Sequence, residues 1–148
     1  MEKAKLDYSP LRVFRWFFLN IQRSWIIPTF IRCYLVRLGG VKLGSKCFIG
    51  TDVIFDTLRP DLIKIGNGCV ITSGTRIVTH FYKSNDGCMY LGEVNIGNNV
   101  FIGMNSLIVN SVKIGNHSVV GAGSVVLKDI GEEEVWAGNP ARLIRKRE

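Results

Sequence analysis

Residues 96–131 read IGNNVFIGMNSLIVNSVKIGNHSVVGAGSVVLKDIG, and they decide the fold. An aliphatic residue recurs every six positions, at Ile96, Ile102, Ile108, Ile114, Val120 and Val126. Gly follows it at 97, 103, 115 and 121. Four places after each aliphatic residue stands Val100, Ser106, Val112, Ser118, Ser124 or Ile130. A helix would repeat its apolar residues at three and four, and a half-buried strand at two. A strict period of six fits a hexapeptide β-helix, with one short strand and one corner per hexad. The aliphatic residue points into the core, and Gly is expected to allow the tight corner backbone.

A longer beat runs through the hexads. The Gly is absent after Ile108 and again after Val126, so three hexads make one triangular coil, 96–113 and then 114–131. Upstream, Leu43, Ile49 and Phe55 mark one coil, and Ile65, Ile71 and Ile77 another. This predicts an all-β solenoid of about four coils that bury a continuous core between them. A short interruption falls at 61–64, and a longer one lies in a loop insertion at 80–95. The repeats span 41–131. Residues 1–40 form an N-terminal apolar and basic helical cap, and residues 132–148 form a turn and a short basic helix.

The chain has 148 residues and is 47% hydrophobic, enough for one domain with a sizeable core. Cys33, Cys47, Cys69 and Cys88 include no C-x-x-C pair, which speaks against a zinc ribbon or redox motif. Cys47 and Cys69 fall at small-residue positions and read as packed thiols, in keeping with a reducing cytoplasmic setting. The formal net charge of +7 gathers at the two ends. Such ends suit phosphates on a ligand or a membrane surface, or they are solvated faces. No nucleic-acid reading motif accompanies the charge, so a nucleic-acid partner is not expected.

Residues 1–9 read as a polar lead-in. Residues 10–38 mix aromatics such as Phe14, Trp16, Phe17, Phe18 and Trp25 with Arg12, Arg15, Arg23, Arg32 and Arg37. Their charge-free runs fall short of the roughly 20 residues that span a bilayer. One or two amphipathic helices are expected, broken near Pro28. They either cover the open edge of the first coil or lie against a membrane surface as an interfacial anchor. At the other end, Asn139 is the expected N-cap and Pro140 the first residue of the basic helix.

The segment Ile114 to Ile130, followed by Val135-Trp136-Ala137-Gly138-Asn139-Pro140-Ala141-Arg142, resembles the C-terminal signature of the hexapeptide-repeat acyltransferases. Thr79-His80 leading into an insertion is in the same style. The front end, with Ile49-Gly50-Thr51-Asp52-Val53-Ile54-Phe55-Asp56, is more like the polysaccharide O-acetyltransferase branch. The resemblance covers about residues 41–147. It implies a left-handed parallel β-helix, a homotrimer, and acetyl-CoA held in a groove between subunits. The implied function is direct transfer of an acetyl group to a hydroxyl of a saccharide or polysaccharide precursor. N-acetylation of a nucleotide-linked amino sugar and a non-catalytic β-helix scaffold are the alternatives.

By this resemblance His80 is the general base, since an imidazole can accept a hydroxyl proton at neutral pH. It points to Met104, Ala122, Leu127 and Lys128 for acetyl-CoA, with Arg142 and Arg145 on the last helix meeting its phosphates. Asp56 lies on the side of His80, one coil earlier. It binds sugar hydroxyls, orients the imidazole, or is a solvated corner residue. Tyr82 is a candidate for stacking on a sugar ring, or packs within the insertion. No metal is expected, because a catalytic zinc usually takes three protein ligands and the two histidines, His80 and His117, lie in different coils. Leu127 stands where many relatives have Thr. Val78-Thr79-His80 departs from the Thr-Gly-His of the maltose and galactoside branch.

Overall fold

The computed structural model describes residues 2–3, 9–109 and 111–147. Three sheets carry the hexads. Lys42–Leu43, Ile63–Ile65, Val94–Ile96 and Lys113–Ile114 stack as the first. Phe48–Ile49, Val70–Ile71, Phe101–Ile102 and Val119–Val120 belong to the second, and Ile54–Phe55, Arg76–Ile77, Leu107–Ile108 and Val125–Val126 form the third. All these neighbours pair in parallel, one hexad triplet above the next. Successive strands therefore visit successive sheets, and the eighteen-residue beat is one round of all three.

The aliphatic ladder forms the core. Ile49, Ile71, Ile102 and Val120 are fully buried, as are Ile77 and Ile108. Ser106, Ser118 and Ser124 share this interior and satisfy their hydroxyls on corner carbonyls of Gly103, Gly131 and Gly121. Asparagines bind the corners between the first and second sheets. The side-chain oxygens of Asn67, Asn98 and Asn116 each accept the backbone N–H of the coil below, at 2.8 Å.

The glycines after the aliphatic residues have a different reason from the one expected. Left-handed backbone falls two places later, at Asn99, Asn105 and His117. Gly103 is needed because a Cβ there would lie 2.4 Å from the Ala122 nitrogen of the next coil. Close stacking of coils excludes the side chain, and the asparagines and His117 make the turn.

Two helices cover the first coil, α1 (Pro10–Ile21) and α2 (Thr29–Leu38). Pro10 opens α1, where its missing N–H costs nothing. Leu19 from α1, and Cys33 and Val36 from α2, join the core. The buried Arg32 guanidinium donates to the carbonyls of Gln22, Ser24, Ile27 and Ile49, tying the helix–helix turn to the second sheet. Gln22 adds a bond to the Val53 carbonyl at 2.8 Å. Of the polar lead-in, residues 1 and 4–8 lie outside the described residues. Glu2–Lys3 pairs antiparallel with Tyr90 and Leu91.

Two expectations are corrected. The insertion is not a loop in its central part but an antiparallel hairpin, His80–Lys83 against Cys88–Leu91. Alternating backbone bonds across it satisfy groups that a loop would leave to water. The C-terminal helix is absent. Arg142–Lys146 is a strand, antiparallel to Glu134–Ala137, which itself pairs in parallel with Val119–Val120. Asn139, joined to Pro140 by a cis peptide, lies in the reversal and caps no helix. Arg142 and Arg145 thus sit on an exposed strand. Glu134–Ala137 would otherwise present an unpaired sheet edge, and pairing that edge satisfies more backbone than an eight-residue helix, marginal in water, could do alone.

Candidate active site

Asp56 and His80 follow equivalent strands of the third sheet, Ile54–Phe55 and Arg76–Ile77, whose pairing stacks the two chain exits. His80 Nδ1 lies 2.6 Å from Asp56 Oδ2. The Asp56 side chain is only 3% exposed, whereas that of His80 is 43% exposed. The solvated-corner reading of Asp56 is therefore corrected: it is buried beneath the imidazole. Oδ2 also accepts the backbone N–H and the hydroxyl of Thr79, each at 2.8 Å, and Oδ1 accepts the Leu58 N–H at 2.8 Å. Burial pushes the Asp56 carboxyl up, but the Leu58 and Thr79 donors, joined by the charge of His80, outweigh it. The carboxyl is held below its ordinary value and stays ionised at neutral pH.

That charge state orders the imidazole. A carboxylate only accepts hydrogen bonds. In neutral His80, Nδ1 must therefore carry the proton, and Nε2 keeps its lone pair. His80 borders a hollow of about 300 Å3, whose walls include Trp16, Asn20, Thr57 and Val78. The arrangement can take a proton from a group bound in that hollow, with the Asp56 charge stabilising the imidazolium that forms.

The other expected residues fall in three places. Met104 and Ala122 meet at the corner between the second and third sheets, where the Met104 carbonyl accepts the Gly123 N–H at 2.7 Å. A shallow hollow of about 290 Å3, lined by Gly74, Arg76, Asn105, Ser106 and Leu107, opens beside that corner. Leu127 and Lys128 follow Val125–Val126, at the same end of the third sheet's strands as Asp56 and His80. Arg142 and Arg145 lie on the C-terminal hairpin, and among the described residues their guanidinium groups bond only to the local carbonyls of Ala141 and Lys146. Within one chain His80 and the Met104 corner thus occupy opposite ends of one sheet's strands.

Tyr82 is exposed on the hairpin opposite Met89 and does not line the His80 hollow. Tyr90 instead stacks on Phe81 and lies under the Lys83 ammonium. Trp16, Asn20 and Thr57 were missed. The signal for the first two was the four-residue spacing of Trp16 and Asn20, with Arg12 one turn earlier. Among the described residues no group of three or more His, Cys, Asp or Glu is placed to hold a metal ion.

Comparison with known proteins agrees with this architecture. Residues 93–128 match the model of the bacterial transferase hexapeptide family, described as six repeats. The chain is 44% identical over 117 residues to Protein CapG of Staphylococcus aureus, covering 74% of this chain and 68% of that protein. It is 33% identical over 126 residues to a Bacillus subtilis (strain 168) protein named "Putative acetyltransferase YvoF", covering 85% of this chain and 67% of the other. Its fold matches a hexapeptide-repeat acetyltransferase from Vibrio cholerae solved with acetyl coenzyme A, at a TM-score of 0.78 and 24% identity, over 93% of this chain and 87% of that one. With a hexad ladder that runs without a slip from Ile96 to Val126, a histidine mounted where the third sheet is left, and these relatives across most of its length, the chain belongs to the hexapeptide-repeat acetyltransferase family.

Proposed function

We propose that this protein is an acetyl-CoA-dependent O-acetyltransferase acting on a hydroxyl of a saccharide or polysaccharide precursor. The observation that carries this reading is the buried, ionised Asp56 bonded at 2.6 Å to a half-exposed His80. In this mechanism His80 Nε2 takes the proton of the acceptor hydroxyl as its oxygen attacks the thioester carbonyl carbon. The C–S bond then breaks, and the CoA sulfur leaves and receives that proton. No acyl-enzyme forms. Asp56 is a positioning residue that holds the imidazole through Nδ1.

Met104, Ala122 and the hollow beside them would hold the pantetheine arm, because the small Ala122 and Gly123, whose Cβ position faces open space, leave the coil surface uncrowded there. Lys128, Arg142 and Arg145 supply cations for its phosphates. The Met104 corner and His80 lie at opposite ends of the third sheet's strands, and Arg142 and Arg145 extend the second sheet, so the complete site needs a second copy. We assign the chain to a homotrimer of left-handed, closed β-helices on this ground and on the family resemblance. Light scattering should return three times the 16.6 kDa chain mass.

Two further assignments concern surroundings. Trp25, Ile26 and Phe30 are each more than 70% exposed at the turn between α1 and α2 and the start of α2. This surface suits the interfacial zone of a membrane, and liposome flotation of full-length and truncated protein tests it. No helix among the described residues is long and apolar enough to cross a membrane. The four free cysteines suit a cytoplasmic setting, where the acetyl donor is available.

The test is acetyl transfer followed by thiol release. Wild type should acetylate a saccharide acceptor, and His80→Ala should lose most of its turnover while still binding acetyl-CoA. A His80→Ala variant that keeps most of its turnover overturns the assignment.

A further inference from the structure

The two helices lie across the open end of the first coil. Their side chains bond carbonyls of that coil: Arg37 those of Leu43 and Gly44, Arg32 that of Ile49, and Gln22 that of Val53. The other side of the first coil is taken by the second, through all three sheets. The outer side of the helices therefore looks along the stack, away from the coils. That side is apolar. Val13, Phe17 and Ile21, four residues apart on α1, are exposed, and so are Phe30 and Tyr34 on α2. Trp25 and Ile26, at 82% and 72% exposure, continue it through the turn. A helix facing water carries polar residues on that side. A contiguous apolar patch in their place marks a contact surface.

Its chemistry fits a lipid leaflet. Residues 10–38 contain no acidic side chain, so neither helix sets a carboxylate against a headgroup phosphate. Arg37, one turn beyond Tyr34, and Lys46 of the first coil are exposed cations with no carboxylate partner among the described residues. Aromatic and aliphatic residues edged by cations match the interfacial zone of an anionic leaflet. A second copy of the chain is the rival occupant. The copies that complete the active site meet at the sheets, beside the stack, and leave this end open.

The catalytic hollow opens at the same surface. Trp16 is a wall of the hollow in front of His80 and is itself 53% exposed, beside the stripe of Val13, Phe17 and Ile21. A neighbouring hollow of about 340 Å3 shares Trp16 and Thr57 with it and adds Val13 from the stripe. From Trp16 to Val13 is three residues, about 4.5 Å along the helix. A molecule that leaves His80 over Trp16 thus reaches the apolar side of the cap within one turn of α1.

We propose that the outer side of the cap rests on a membrane leaflet and that the acceptor is a saccharide linked to a lipid, whose chain stays in the leaflet while the sugar reaches His80 past Trp16. This rests on the O-acetyltransferase reading above and names the carrier of its substrate. The transfer step is unchanged. The shared leaflet raises the concentration of acceptor at the site, as a second binding module would.

In the experiment, the saccharide that wild type acetylates best is offered in two forms. One is its methyl glycoside in solution beside empty vesicles. The other is its long-chain alkyl glycoside within vesicles of phosphatidylcholine and phosphatidylglycerol. Thiol release is followed at saturating acetyl-CoA. Wild type should prefer the vesicle-borne form by about tenfold or more in kcat/KM, through KM. Trp25→Ser combined with Phe30→Ser removes two side chains that are each more than 70% exposed, so the fold should tolerate it. This double variant should bring the ratio of the two forms to about one and should no longer float with the vesicles, while its mass by light scattering stays that of wild type. Equal use of the two forms by wild type overturns this proposal, whether or not the protein floats, and leaves the O-acetyltransferase reading standing. A double variant that keeps the ratio also overturns it. A double variant of lower mass overturns it too, because the face is then a contact between copies. No transfer to either form overturns both readings. The wild-type comparison needs no variant, so poor folding of the double variant does not spare the proposal.

Discussion

Asp56→Asn isolates what the buried carboxylate does for His80. The amide keeps one accepting oxygen and replaces the other with a donor. If its oxygen stays on Thr79 and the imidazole, its NH2 meets the Leu58 N–H; if it turns over, His80 loses its acceptor. In either orientation the charge-assisted bond to Nδ1 is gone. Such a bond contributes about 1.5–3 kcal/mol. Loss of that much transition-state stabilisation lowers kcat by roughly 10- to 150-fold. The KM for acetyl-CoA should not move, because Asp56 does not line the Met104 hollow. Initial rates of thiol release against acceptor, donor and pH measure both parameters. In the His80→Ala background, Asp56→Asn should add no further loss, since Asp56 acts through the imidazole. A variant retaining half its turnover, or one whose loss multiplies with that of His80→Ala, refutes the argument. Stability gives a second readout. The folded Asp56 carboxyl lies below its ordinary 3.8, so its stabilising contribution is complete above that value. The contribution is lost as pH falls through the lowered folded value. As pH falls below the ordinary carboxylate value and on through the lowered folded one, wild type should therefore lose more stability to this site than Asp56→Asn does.

The other predictions concern the scaffold and the donor. Gly103→Ala places a Cβ 2.4 Å from the Ala122 nitrogen and should destabilise by about 1–3 kcal/mol, read as a lower Tm; an unchanged Tm contradicts the close-stacking account. Arg32→Ala strands four carbonyls that the guanidinium now serves, and should cost about 3–5 kcal/mol in denaturant unfolding. A cost below about 1 kcal/mol would mean water replaces the side chain there. Glutamate at both Arg142 and Arg145 should raise the KM for acetyl-CoA more than it lowers kcat, and an unchanged KM would remove these residues from the phosphate site.

Local rules misled at the C-terminus for an identifiable reason. Asn139-Pro140 followed by basic residues is a helix-start pattern, but propensity over eight residues is weak. The open edge of Glu134–Ala137 lies ten or so residues away and outweighs it once the coil has formed. The hairpin of 80–91 was hidden in the same way. Phe81, Tyr90 and Lys83 look like isolated polar and aromatic residues until pairing sets Phe81 opposite Tyr90 and brings the Lys83 ammonium over the tyrosine ring.

The six-residue period, the eighteen-residue round and the inward ladder from Leu43 to Val126 were legible in the residues alone, because a repeated burial pattern is written in local spacing. So was His80, through a motif that runs along the chain. The contact between Asp56 and His80 belongs to the tertiary structure alone, since 24 residues separate the two and only the stacking of coils brings them within 2.6 Å. The hollow in front of His80 is tertiary for the same reason: its walls come from the N-terminal helix and from a corner of the first coil some forty residues later. Hydrophobic period is a property of neighbours in sequence, whereas a site is assembled from side chains whose proximity exists only after the core has closed.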